Sequence, residues 1–242
     1  MRKVKNILRW IIALFFSSTI MAVVAYRFIP VYITPLMVIR SIEQVKDGKS
    51  ITWHHHWISL DEISKHLPVA AMAGEDKRFL THHGFNRQAI KYAIEQNKKH
   101  NRIVRGGSTI SQQTAKNVFL WPSRSWFRKG IEAYFTILIE LIWSKQRIME
   151  VYLNSIEMGK GIYGIDAVAE YHFNKKAAEL TRSECALIVA TFPNPRLFSS
   201  KSPSAYMRMR TREIEHEMKF IPSFPKEGEE IDPKTAIGEY YK

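Results

Sequence analysis

Between Trp10 and Tyr26 the chain carries 17 consecutive residues without a charged side chain, and Ile7, Leu8, Phe28 and Ile29 extend the apolar run at both ends. A bilayer-spanning helix needs about 20 predominantly apolar residues, so this run predicts a membrane anchor. Arg2, Lys3, Lys5 and Arg9 precede it, and basic residues on that flank keep the N-terminus cytoplasmic and send the bulk of the chain outside. A cleaved signal peptide is the competing reading, because Val23 and Ala25 could form a small-residue cleavage site. Signal apolar regions, however, usually run only about 7 to 15 residues. Topology then limits what the charge means. Thirty-six Lys and Arg against 23 Asp and Glu leave a net +13. Nucleic acid, the usual partner of so basic a chain, is absent on the outer side, which leaves anionic lipid heads and phosphate-bearing substrates.

The rest of the chain reads as one catalytic-sized domain with small additions. Apolar residues make up 45% and charged residues 24%, a composition that supports a packed core and excludes disorder. Cys185 is the sole cysteine, so an internal disulfide and a zinc site of two or more thiolates are both excluded. Residues 1–29 form the cytoplasmic stub and anchor. Residues 30–58, with Pro30, Pro35, Gly48 and the run His54, His55, His56, read as a linker with a strand or two. Residues 59–220 form the domain proper, mainly α. Ser59 with Glu62 and Thr181 with Glu184 have capping-box spacing, and Ser202 before Pro203 predicts a further helix start. Apolar faces recur at helical spacing over 126–143 and 145–153. No glycine-rich phosphate loop follows a strand, which argues against a nucleotide-binding α/β fold. The tail from 221 to 242 is rich in Pro, Lys and Glu and reads as loose.

Polar chemistry concentrates in three segments. The small apolar run Ala70 to Ala73 ends abruptly in Gly74, Glu75 and Asp76. A solvated helix end would look the same, but a carboxylate beside apolar walls has a raised proton affinity and can serve as base or acid. Next, Gly106 and Gly107 lead into a helix beginning at Ser108 or Thr109, with Ser108, Gln112 and Lys116 spaced i, i+4 and i+8 as one polar stripe. A capped surface helix would show this too; an anion-binding helix start is the functional alternative. Third come Arg124, Arg128, Lys129 and Glu132. An i, i+4 ion pair between Arg128 and Glu132 is worth only roughly 0.2–0.5 kcal/mol on a surface, so a cationic clamp for phosphate is the sharper reading.

With these segments in hand, the sequence resembles the peptidoglycan glycosyltransferases, and most closely the monofunctional, membrane-anchored biosynthetic transglycosylases. Five motifs arrive in that family's order between about Ser59 and about Ser200: Glu75-Asp76-x-x-Phe79-x-x-His82-x-Gly84; Gly107-Ser108-Thr109-Ile110-x-Gln112-Gln113-x-x-Lys116-Asn117; Arg128-Lys129-x-x-Glu132; Lys145 to Asn154; and Gly161 to Ile165 running into Ala167 and Lys175. By position, Glu75 matches the family's general base and Glu132 its second essential carboxylate. Ser108, Gln112, Lys116, Arg124 and Arg128 match positions around the donor's pyrophosphate. Gly74, Asn86 and His172 depart from the common pattern, which puts local capping and packing in question.

The resemblance implies a lysozyme-like, mainly α domain with a head lobe and a small membrane-proximal jaw. It implies an enzyme of the bacterial inner membrane that polymerises lipid II, the undecaprenyl-pyrophosphoryl disaccharide-peptide, into β-1,4 glycan with inversion. Its partners would be lipid II, the nascent glycan strand, membrane lipids and other wall-synthesis and division proteins, with no nucleic acid. No cofactor is implied, while a divalent cation such as Mg or Mn is left open because Glu75 and Asp76 could hold one or simply repel each other. The rivals are a lysozyme-like glycan-cleaving enzyme and a non-catalytic scaffold. Cleavage expels a sugar oxygen that needs protonation and no cationic clamp, which favours synthesis. About 40 residues follow Ser200, too few for a transpeptidase domain despite the Ser223-x-x-Lys226 spacing. The three histidines match no motif and read as solvated, with metal binding the lesser alternative.

Overall fold

The computed structural model describes residues 2–99, 106–123, 125–226 and 228–231. In chain order the helices are α1 (Arg2–Tyr26), α2 (Pro35–Lys46), α3 (His66–Glu75), α4 (Arg87–Lys99), α5 (Ile110–Phe119), α6 (Trp126–Ile142), α7 (Lys145–Ser155), α8 (Ile165–Val168), α9 (Arg182–Val189) and α10 (Ala205–Glu217). Strands β1 (His54–His55), β2 (Glu157–Gly159) and β3 (Ile162–Tyr163) form one small sheet, with β3 in the middle, parallel to β1 and antiparallel to β2. The mainly α expectation holds.

The 25 residues of α1 span about 37 Å at 1.5 Å per residue, enough to cross a bilayer. Its N-terminal part stands clear of the protein and shows apolar side chains such as Trp10, Ile11 and Leu14, a surface that only lipid or another apolar partner would cover. Its C-terminal part is docked. Thr19 shares a hydrogen bond with Tyr134 of α6 (2.8 Å), the Trp143 indole donates to the Val23 carbonyl (2.8 Å), and Arg147 donates to the carbonyls of Tyr26 and Ile29. The bonds from Trp143 and Arg147 satisfy carbonyls at and just after the helix end, where intrahelical donors run out.

Residues 30–58 contain β1 but also a full helix, α2, in place of a simple linker. Thr34 caps it by accepting from the Met37 N–H, and Pro35 occupies the first turn, where a missing N–H costs nothing. Met37 is buried and α2 packs on α5. Val38, Ile42 and Val45 stay exposed, so the apolar residues that suggest a strand lie on the helix's outer face.

Two packed groups build the core. In one, α5 lies against both α6 and α7; in the other, α3 lies against α9 and α10. Small residues along α3 permit this closeness: a Cβ on Gly74 would stand 2.6 Å from Val189 Cγ1. Alanine at that position would therefore collide with the β-branched neighbour this chain carries. The spans 126–143 and 145–153 appear as α6 and α7, capped by Ser125 and Ser144. The capping boxes at Ser59 and Thr181 form. Ser202 is not a cap; Ser204 is, accepting from the Met207 N–H, and Pro203 lies outside the helix. Burial sets that register, because starting at Ala205 turns Met207, Thr211 and Ile214 inward together.

The tail is docked as far as it is described. Ile221 is buried, Phe224 stacks on Phe79 with centroids 6.3 Å apart, and the Gln146 amide donates to the carbonyls of Lys226 and Glu229. The expectation of looseness over 221–242 therefore does not hold for the described part, which is docked at 221, 224, 226 and 229; residues 227 and 232–242 lie outside the described residues. Of the three histidines, His54 and His55 form β1, His55 also pairing with the Asn154 carbonyl (3.0 Å), while His56 faces Asp166 at 3.5 Å.

Candidate active site

Glu75 is the last residue of α3, and the buried apolar turns before it, Ala70 to Ala73, deliver its carboxylate half-buried into a cleft of about 490 Å³ between α3, α4 and the segment 106–109. Burial raises the proton affinity of this carboxyl above the ordinary range. Opposing it are the hydrogen bond from Gln113, the positive charge of Arg210 and that of Lys116, while Asp76 adds to the rise. The Gln113 amide donates to Glu75 Oε2 at 2.7 Å, and its oxygen accepts from the buried Tyr152 hydroxyl at 3.3 Å. Tyr152 therefore orients the amide so that its N–H faces the carboxylate.

Asp76 points the other way. It accepts from the Ile110 N–H at the start of α5 (3.0 Å) and from His82 Nε2 (2.8 Å), whose Nδ1 accepts from the Gly84 N–H (3.1 Å). Thr109 donates its hydroxyl to the Gly84 carbonyl (2.7 Å). This chain of bonds fastens the end of α3 to the start of α5 and so fixes Glu75 relative to Gln113. Asp76 is 5% exposed and engaged on the protein side. Among the described residues no group of three or more His, Cys, Asp and Glu is arranged to hold a metal ion.

On α5, Thr109 is the N-cap and Gln112 the third helical residue, and the two close a capping box. The Gln112 side chain is thereby spent on the Thr109 N–H at 3.0 Å and is 4% exposed. Its neighbour Gln113 faces the site together with Lys116, at i, i+3. Ser108 is exposed at the mouth, where Lys129 donates to its hydroxyl at 3.3 Å. The structure thus brings Glu75, Gln113, Lys116, Arg128 and Glu132 into one region, with Ser108 at its edge and Gln112 behind it. Arg124 lies outside the described residues.

Lys116, Arg128 and Gln113 line a second groove, of about 540 Å³, on the other side of the Glu75–Gln113 contact. Glu132, 2% exposed, is pinned by Arg128 (2.9 Å) and by Lys129, one cation to each carboxylate oxygen. Burial lowers the proton affinity of the Lys116 ammonium, the charges of Glu132 and Glu75 restore part of it, and Arg128 and Lys129 work against them. Among the described residues no hydrogen bond or ion pair holds that half-buried ammonium, and Arg128 Nε is fully buried without a partner. Desolvated cations left unsatisfied are costly unless an anion completes them.

The roles of Gln113, Tyr152 and Arg210, which donates to the Gly74 carbonyl at 3.3 Å, do not emerge from residue spacing. The Thr109-x-x-Gln112 capping signature is the signal that would have moved the stripe by one residue.

Comparison with known proteins gives a consistent picture. A family model described as Transglycosylase matches residues 42–219. A Bacteroides thetaiotaomicron protein named biosynthetic peptidoglycan transglycosylase is 57% identical, over 96% of this chain and 95% of its own length. Proteins of the same name from Bdellovibrio bacteriovorus (48% identical, 90% of this chain, 87% of the relative) and Caulobacter vibrioides (47%, 88% and 90%) are similar along nearly the whole chain.

Proposed function

Since this chain belongs to the peptidoglycan transglycosylase family, we propose that it polymerises lipid-linked disaccharide-peptide into β-1,4 glycan, with inversion and release of undecaprenyl diphosphate. One observation carries the reading: the half-buried ammonium of Lys116, which no described residue bonds, and the buried, unpartnered Nε of Arg128 line one groove, next to a carboxylate of raised proton affinity. A diphosphate leaving group supplies the missing anion. Its charge grows as the glycosidic bond breaks, and donors already in place stabilise that growth without reorganising.

On the other side, the acceptor sugar's hydroxyl enters the Glu75 cleft. Glu75 takes its proton as the oxygen attacks the anomeric carbon, and a raised pKa suits a base working near neutrality. Base and leaving group on opposite faces favour a single in-line displacement, and hence inversion. Glu132 keeps Arg128 at the groove, pairs with Lys129 as well, and offsets part of their charge. The clamp's cations provide the counter-charge, so the reading calls for no resident metal.

The anchor brings the enzyme to a lipid-bound substrate. Trp126, Phe127 and Leu141 of α6, the helix against which α1 docks, are 93%, 74% and 77% exposed. This apolar surface suits the outer leaflet, with the basic N-terminal flank in the cytoplasm and the domain on the periplasmic side. The test is to incubate detergent-purified protein with lipid II. A muramidase-sensitive polymer is expected, and its absence with a folded protein would contradict the assignment.

A further inference from the structure

We propose that Arg40 is a positioning residue for this transfer: its pair with Glu157 holds α2 as one wall of the Lys116 groove and cancels the carboxylate charge in that wall. The inference rests on the transfer reading above. Leu36 and Arg40, one helical turn apart on α2, line the groove opposite Lys116 and Arg128. Arg40 Nε stands 3.3 Å from Glu157 Oε1, Nη2 donates to Oε2 at 3.4 Å, and Nη1 donates to Glu43 at 2.8 Å. The Arg40 and Glu157 side chains are 19% and 9% exposed. Both also line a neighbouring hollow of about 380 Å³, so the pair is the partition between two spaces.

The position of Glu157 gives the pair a consequence beyond stability. Among the described residues that line the groove it is the sole carboxylate, and their cations are Arg40, Lys116 and Arg128. Its backbone is held on β2 opposite Tyr163 of β3, and its side chain is 9% exposed. Without Arg40 it becomes a buried carboxylate with its main partner gone. Either it stays ionised, repelling a diphosphate in the same groove, or it takes a proton. In both cases α2 loses its tie across the groove. Among the described residues, the other charged or titratable groups near Glu157 are Glu43 on α2, Arg196 after α9 (3.6 Å from Glu43), Tyr163 on β3 and Lys160 between the strands. Arg196 pairs with Glu43 and acts on Glu157 through its charge, without an ion pair to replace the two-nitrogen contact. Because α2 follows the anchor directly, the same pair couples the anchor to the groove.

The experiment compares full-length wild type, Arg40→Gln, Arg40→Lys and the double variant Arg40→Gln with Glu157→Gln, measuring kcat and KM for lipid II across the neutral pH range. Arg40→Gln is expected to raise KM about tenfold with kcat nearly unchanged, as loss of uniform binding does. Its KM should climb further with pH as Glu157 ionises. Burial already raises the proton affinity of Glu157, and losing the arginine raises it more. Arg40→Lys should recover most of the affinity; the double variant, rid of the unpaired carboxylate but still without the ionic tie, should recover part of it and lose the pH slope. Amide hydrogen exchange without substrate should quicken over 35–46 in Arg40→Gln and stay unchanged in α9. An unchanged KM in Arg40→Gln, an equal defect in the double variant, or unchanged exchange over 35–46 would each overturn the proposal. If wild type makes no polymer, the transfer reading fails, and the exchange result still decides whether Arg40 holds α2.

Discussion

Glu75 and Lys116 owe their chemistry to burial acting in opposite directions on an acid and a base. The carboxyl's proton affinity is raised and the ammonium's is lowered, so each titrates closer to neutrality than it would in water. The base must be ionised and the clamp protonated. Activity should therefore fall as pH drops through the raised Glu75 pKa, and fall again as pH rises through the lowered Lys116 pKa. Gln113 donates to the ionised form of Glu75. Gln113→Leu removes that preference and should move the acid limb of kcat/KM to higher pH; a limb that stays put or moves down would show that the hydrogen bond does not tune the base. Lys116→Ala should cost about 100-fold in turnover, as removal of one preorganised donor does. Lys116→Arg, which keeps its charge, should push the alkaline limb upward. Turnover near wild type in a folded Lys116→Ala variant would remove Lys116 from the clamp.

At the level of elements, α3 carries Glu75 only because α9 and α10 can come close to it. Gly74→Ala places a methyl 2.6 Å from Val189 Cγ1. Overpacking of this kind costs about 1–3 kcal/mol, so melting temperature should drop, and Val189→Ala in the same chain should restore much of the loss. Independent, additive losses would show that the two side chains do not compete for the space. The long periodic helices α6 and α7 were legible because 11 and more residues repeat one apolar face. Likewise, Ser59 and Thr181 carried their own caps. Glu75 was legible as a charge at the end of an apolar helix, and Arg128 with Glu132 as an i, i+4 pair. What escaped depends on contacts distant in the chain. Most of α2's apolar residues face outward, so its pattern reads ambiguously until α5 is beside it. Ser202 and Ser204 are equal candidates until Met207 finds the core. Gln112 and Gln113 are chemically identical, and only the capping box, which takes the first, leaves the second for Glu75.

On the scale of the whole molecule, the anchor, the clamp and the base form one continuous piece. The end of α1 is bonded by Trp143 and Arg147, α2 follows it, and α2 walls the groove that holds Lys116. Those bonds would be wasted on a cleaved signal. The mature protein should therefore retain its first residues, as intact mass or N-terminal sequencing of membrane-extracted protein will read; a start near Tyr26 would contradict the anchor. The central claim is that Glu75 takes the acceptor's proton while the cationic groove holds the donor. Its most direct test is the rate of polymer formation from lipid II by Glu75→Gln, with substrate occupancy measured in the same samples. The substitution removes the base and little volume. Near wild-type occupancy is expected, with a rate lower by about 10²–10⁴-fold, the range a general base contributes. Polymerisation at the wild-type rate, or a rate loss explained wholly by lost occupancy, would contradict it.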